Sequence, residues 1–330
     1  MVIISNQSFD IKKIENHTLT IADKKNFIND SEYNKRWYAY FFESIQKLID
    51  QSNEIFIVSD GIVNKCPIEI LSPDGTRKNS LINRISFRYF NNSKSFVERH
   101  NEDQPDIRIL ALGGIRYECN SNPDEVNEYA DSGQNNIPPV YLPGTLTEVQ
   151  NIHNRYPVSS ELLSGCDATK DRLVKEMNDT VFSVFHISTH GILYLDSTIS
   201  DKEYLYLKSG NAAFLALANG SQGYLSAYEI TNQYLQRARL VYLSACASGI
   251  GAQMAGNGLF SIGDAFYAAG ADKVLFSLWD ISDDFAILFA DKFYESLQQG
   301  YTITSAFGKT QKFFSNKYPP ALWAAFRLME

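Results

Sequence analysis

The sequence predicts an α/β fold built on a mostly parallel sheet, and three observations carry that prediction. Short apolar runs rich in Val, Ile, Leu and aromatic residues alternate along the chain with longer segments of helical periodicity. The runs are nearly continuous in hydrophobicity, as expected of strands buried on both faces. Two of them, Phe185-His-Ile-Ser-Thr-His-Gly191 and Leu240-Val-Tyr-Leu-Ser-Ala-Cys-Ala-Ser-Gly249, end abruptly in a reactive side chain beside small residues. Parallel sheets gather their chemistry at the carboxyl ends of strands, so His190 and Cys246 are expected at one sheet edge.

In chain order, the first element is a helix over residues 30–50, where Trp37, Tyr38, Phe41, Phe42, Ile45, Leu48 and Ile49 recur at helical spacing. A strand over 54–59 closes at the turn dipeptide Asp60-Gly61, and a second over 106–112 is expected to end at Gly113-Gly114. The polar stretch 118–139, with two adjacent prolines, reads as a mobile loop or linker between subdomains. Helices follow at 146–155 and 169–178, and then a strand over 181–188 leads to His190. Segments 204–208 and 214–218 suggest a small hairpin turning at Ser209-Gly-Asn211. Ser226-Ala-Tyr-Glu229 has the spacing of a capping box and starts a helix before the Cys246 strand. A helix over 258–269, a strand over 273–279, helices at 283–298 and 304–316 and a final strand over 322–328 complete the pattern. No repeat near 34 residues appears, so no tetratricopeptide array is expected within these residues.

Composition narrows the function. A formal net charge of -8, with no Lys/Arg run longer than two, argues against nucleic acid as a direct ligand. The opening MVIISNQSFDIKK lacks the layout of a signal peptide, and no window offers the roughly 18 uninterrupted apolar residues of a membrane helix. The expectation is a cytoplasmic enzyme without membrane contact. Cys66, Cys119, Cys166 and Cys246 are dispersed and show no C-x-x-C pair, so neither a disulfide framework nor a zinc site is expected, and no other metal or cofactor is implied. Only Cys246 follows a strongly apolar strand and opens a glycine-containing turn.

These residues set out a chemistry by themselves. A thiol with an ordinary pKa of about 8.5 needs a neighbouring histidine to become a thiolate near neutrality. Attack on a carbonyl creates an oxyanion that backbone N–H groups can stabilise, and Gly191 and Cys246 each offer one. Each position also has a plainer reading: Cys246 as a packed core thiol, and His186, inside the strand, as a buried histidine with satisfied nitrogens. Gly249, Gly251 and Gly256 lack phosphate-loop spacing, and Ser244 stands where a hydrolase elbow would need glycine.

Thr189-His-Gly191, Leu243-Ser-Ala-Cys246 with Gly249 and Gly251, Gly270-Ala271, and Ser277-Leu-Trp279 with Asp283 together resemble the CHAT family, caspase-like cysteine peptidases related to separases. The likeness extends through Val58-Ser-Asp-Gly61, Pro67-Ile-Glu-Ile-Leu71, Leu142-Pro-Gly-Thr145 and Pro320-Ala-Leu-Trp323. The resemblance implies a caspase-like three-layer α/β/α sandwich around a mostly parallel sheet. In it, an N-terminal non-catalytic caspase-like half (1–140) would buttress a catalytic half (141–330). It also implies a catalytic dyad of His190 and Cys246, an oxyanion hole at Gly191 and Cys246, and cleavage of a specific protein substrate in a regulated signalling or antiviral defence system. An activating partner or tetratricopeptide-type sensor is then expected outside these residues. Asp280 and Asp283, after the strand that follows the nucleophile, are candidates for a pocket that receives Arg or Lys; Asp283 could equally cap its helix. A catalytically silent scaffold and a cysteine-dependent acyltransferase or hydrolase on a small molecule are the alternative functions.

Overall fold

A computed structural model describes residues 2–5, 8–11, 28, 30–58, 66–97, 106–119, 139–193, 213–219, 223–245, 252–254 and 258–330. The chain divides into two compact units, Met1–Asp103 with Ser296–Glu330, and Gln104–Glu295.

In the first unit, strands β1 (Val2–Ser5) and β2 (Ser8–Ile11) pair antiparallel, and β1 also runs antiparallel to β3 (Glu54–Val58). Strand β4 (Ser86–Phe90) is parallel to β3 and to the C-terminal strand Phe326–Met329. The first helix, α1 (Ser31–Phe42), begins where the Asp30 carboxylate accepts the N–H groups of Glu32 and Tyr33 at 2.9 and 3.1 Å. It buries Tyr38, Phe41 and Phe42, passes into a 3₁₀ turn at Glu43–Ile45 and resumes as α2 (Gln46–Gln51), so the single helix expected over 30–50 is three pieces. Helix α3 (Ser93–Val97) follows β4. The Pro67–Leu71 segment is structural. Its Glu69 carboxylate is buried and accepts the Tyr89 hydroxyl at 2.6 Å. Arg327, fully buried, lies over the Tyr89 ring at 4.0 Å and donates to the Cys66 carbonyl.

The second unit holds strands β5 (Ile109–Ile115), β6 (Ser160–Gly165) and β7 (Val184–Thr189). Helix α4 (Pro143–Arg155) joins β5 to β6, and α5 (Lys170–Asn178), capped by the Thr169 hydroxyl, joins β6 to β7. Strands β8 (Gly191–Leu193), β9 (Ala213–Ala216) and β10 (Tyr224–Ser226) make a small antiparallel sheet in the order β10-β9-β8. Helix α6 (Ala227–Thr231) starts at the Ser226/Glu229 capping box read from the sequence. Strand β11 (Leu240–Ala245), the antiparallel pair β12 (Ala252–Met254) and β13 (Gly258–Phe260), helix α7 (Ile262–Ala268), strand β14 (Val274–Ser277) and helix α8 (Asp283–Gln298) complete the order. The central strands run in the order β14-β11-β7-β5-β6, all parallel. Every residue of β5 and β7 is buried, in keeping with their unbroken hydrophobicity. Among the described residues, no helix is long and apolar enough to cross a membrane.

Four further sequence expectations need correction. Strand β5 does not stop at Leu112 but continues through Gly113 and Gly114 to Ile115, with a shifted register against β6. The glycines are there because α4 lies against them: a Cβ on Gly113 would stand 2.7 Å from the Thr145 carbonyl oxygen, and Gly114 has φ +64°. The helix expected from Gly258 starts at Ile262, where Ser261 and Asp264 form a capping box, and Gly258–Phe260 is a strand. The last strand starts at Phe326 because Pro320 begins a short helix, Pro320–Trp323. Finally, Cys119 and Cys166 form a disulfide. They follow the carboxyl ends of adjacent parallel strands, where the Arg116 N–H donates to the Gly165 carbonyl at 3.1 Å, so proximity across the sheet replaces the missing C-x-x-C spacing.

Segment 120–138, the expected 204–208 strand with its turn, and Asp60-Gly61 lie outside the described residues.

Candidate active site

Strand β5 is followed in sequence by β6 on one side and by β7 on the other, so the strand order reverses between β5 and β7. At such a switch point the connections leave in opposite directions and open a crevice at the carboxyl ends of the strands. Tyr117, just past β5, and His190, just past β7, both stand there, with ring centroids 5.5 Å apart.

His190 is held from several sides. Thr189 is buried, and its hydroxyl donates to the Ala216 carbonyl and lies 3.1 Å from the Tyr117 hydroxyl. The His190 carbonyl accepts the Ala216 N–H at 3.0 Å, and Gly191 then pairs with Leu215 as β8 begins. The imidazole Nε2 is 2.7 Å from the Val140 carbonyl oxygen. A carbonyl can only accept, so Nε2 carries the proton and Nδ1 is the nitrogen left to act as a base. Burial pushes the Tyr117 hydroxyl above its ordinary pKa, against the opposing hydrogen bonds to Thr189 and the His190 backbone, and keeps it neutral.

Strands β7 and β11 pair in parallel from Leu240↔Val184 to Ala245↔Thr189. The ladder therefore ends on the two residues that directly precede Cys246 and His190 in sequence. Cys246 itself lies outside the described residues.

Asp280 is exposed after β14, and Asp283 and Asp284 occupy the first turn of α8. The Ser282 carbonyl accepts the N–H groups of Phe285 and Ala286, which puts Asp283 inside the helix start, where its charge suits the N-terminal dipole. Asp283 also packs on α4: a Cβ on Gly144 would stand 2.7 Å from the Asp283 Cβ. Gly144 is four residues after Val140, so Asp283 borders the segment that holds His190.

Sequence reasoning missed Tyr117, Val140 and Glu148. Glu148 left a signal: together with Thr145, Val149 and Ile152 it falls on the core-facing helical spacing of α4, an unusual place for a carboxylate. His186 is fully buried and belongs to the core, but only Nδ1 is satisfied, 3.2 Å from the Tyr294 hydroxyl; Nε2 makes no hydrogen bond, against the expectation that both nitrogens are paired. Among the described residues, no cluster of three His, Cys, Asp or Glu side chains could hold a metal ion.

Comparison with solved structures finds the Arg-specific cysteine proteinase gingipain R, with 9% identity over 94% of this chain and 68% of that one and a TM-score of 0.48. The complex of Porphyromonas gingivalis RgpB pro- and mature domains is similar over 91% of this chain and 67% of that one, with 9% identity and a TM-score of 0.48. A chain of the Saccharomyces cerevisiae separase–securin complex is similar at 15% identity and a TM-score of 0.50, over 83% of this chain but only 15% of that one. The last likeness shows the fold, a caspase-like α/β architecture. A search of curated proteins finds no match. The sequence matches the CHAT domain over residues 32–330, nearly its whole length, and the chain belongs to the CHAT domain family.

Proposed function

We propose that this chain is a cysteine endopeptidase that cleaves a specific protein through His190 and Cys246. The observation that carries the reading is the parallel ladder of β7 and β11, whose last pair, Ala245↔Thr189, directly precedes both residues. Neighbouring strands lie about 4.8 Å apart, a spacing suited to a nucleophile and its base on adjacent strand ends.

In this mechanism the Cys246 thiol gives its proton to His190 Nδ1, and the thiolate attacks the scissile carbonyl carbon. The oxyanion is received by the N–H groups of Gly191 and Cys246. His190 then protonates the leaving amine as the C–N bond breaks, which leaves a thioester on Cys246. Water, deprotonated by His190, attacks the thioester and releases the thiolate.

Asp283, with Asp280, supplies negative charge beside the cleft and favours Arg or Lys before the scissile bond. Residues 1–140 act as a non-catalytic support for the catalytic half, 141–330. A partner, of the tetratricopeptide sensor type, activates the enzyme in a cytoplasmic signalling or antiviral defence system.

The test is hydrolysis of reporter peptides with Arg, Lys, Asp or Leu before the scissile bond, by wild type and by Cys246→Ala. Cleavage after Arg or Lys that vanishes in Cys246→Ala is expected. Rapid cleavage after Asp would overturn the pocket assignment, and cleavage that survives in Cys246→Ala would overturn the nucleophile.

A further inference from the structure

A buried carboxylate lies beneath the two strand ends that carry the reactive residues. Glu148, on the inner face of α4, is 3% exposed. Its Oε2 accepts the Ser188 hydroxyl of β7 at 2.7 Å and the Ser244 hydroxyl of β11 at 2.9 Å. Ser188 is two residues before His190, and Ser244 is two before Cys246. The other oxygen, Oε1, is 3.2 Å from His186 Nε2, too poorly directed to count as a hydrogen bond. His186 reaches the Tyr294 hydroxyl through Nδ1, and the Tyr242 ring closes the cluster 4.6 Å from the His186 ring.

A carboxylate in a protein core is costly unless its oxygens are well satisfied, and an aliphatic side chain would fill this space at lower cost. The backbone ladder already fixes the register of β7 and β11, so register alone gives no use for Glu148. What the ladder leaves loose is the relative twist of the strands where it ends, at Thr189 and Ala245. One carboxylate oxygen shared by a serine from each strand pins that region.

We infer that Glu148 is a positioning residue for the His190–Cys246 pair, acting through Ser188 and Ser244 to hold the two strand ends at a fixed separation and twist. The inference rests on the peptidase reading. It works through hydrogen-bond geometry and not through charge, because a single amide oxygen could accept both hydroxyls equally well.

The test is the pH dependence of Cys246 alkylation by iodoacetamide in the full chain, read by mass at the Cys246 peptide, with melting temperature measured alongside. In wild type, pairing with His190 keeps Cys246 reactive at pH 6, well below the ordinary thiol pKa of about 8.5. Glu148→Ala should give the profile of an unassisted thiol, with the rate at pH 6 lower by about tenfold or more, and Glu148→Gln should restore the wild-type profile. Ser188→Ala and Ser244→Ala, which remove one hydroxyl each, should fall between and serve if Glu148→Ala does not fold. A wild-type profile in Glu148→Ala, or in both serine variants, would overturn the positioning role even if melting temperature drops. Failure of Glu148→Gln to restore the profile would overturn the geometric account. An ordinary thiol profile in wild type itself would instead sink the pairing of His190 with Cys246 in the free chain, and the positioning role with it.

Discussion

At His190 one hydrogen bond decides which nitrogen can act. The Val140 carbonyl accepts a hydrogen bond from the Nε2–H, so Nδ1 is the free base. The acceptor is a backbone oxygen, and any residue at position 140 except one that bends the chain would supply it, which is why no residue type hints at it. Tyr117 supports the same corner from the other side, with its ring against the imidazole and its hydroxyl on Thr189. Tyr117→Phe should cost about 1 kcal/mol in urea denaturation, the ordinary worth of a lost hydrogen bond, because the Thr189 hydroxyl keeps the Ala216 carbonyl as a partner. A loss above about 3 kcal/mol would show that the hydroxyl does more than make this bond. Of the site, the histidine and cysteine were legible because reactive side chains end apolar runs. Tyr117 and Glu148 were not, since their roles depend on which strands and helices become neighbours.

At the scale of elements, the interface of α4 with β5 and α8 positions the site. Gly113 and Gly114 let the start of α4 approach β5, and the Thr145 hydroxyl accepts the Gly114 N–H at 2.9 Å. In sequence a Gly-Gly pair reads as a turn; only the helix lying on it explains a strand that passes through. At the other end of α4, the Tyr156 hydroxyl donates to the Tyr294 carbonyl of α8 at 3.0 Å, and burial pushes its pKa up to about 12. A raised tyrosine pKa stabilises the fold fully below the unfolded value of about 10 and loses that contribution as pH rises through about 12. Melting temperature should therefore fall across that window, and less steeply in Tyr156→Phe. Some fall should remain, because burial also holds Tyr242 and Tyr294 well above their ordinary values. Identical slopes for the two proteins would contradict the assignment. The helix start at Ser226 was legible because its side chain and that of Glu229 cap it. The same signal at Ser261 with Asp264 was masked by the apolar Gly258-Leu-Phe260 before it.

At the scale of the whole molecule, the order of strands in the second unit sets what can be removed. Strand β5 pairs with both β6 and β7 and is buried along its length. A chain of residues 141–330 lacks β5 and would leave two strand edges and their apolar faces open. It should be insoluble or aggregate on expression; a soluble, fully active product would refute this account of the sheet. The alternation of strands and helices made the fold class legible from the start, because buried parallel strands need nearly unbroken hydrophobicity. The Cys119–Cys166 disulfide was not, because nothing in the spacing of the two cysteines reveals that β5 and β6 are neighbours. The central claim is that Cys246 is a nucleophile served by His190, and intact-mass analysis after treatment with a peptide acyloxymethyl ketone carrying Arg tests it most directly. The account predicts one label on wild type, none on Cys246→Ala and a sharply reduced rate on His190→Ala; undiminished labelling of either variant would contradict it.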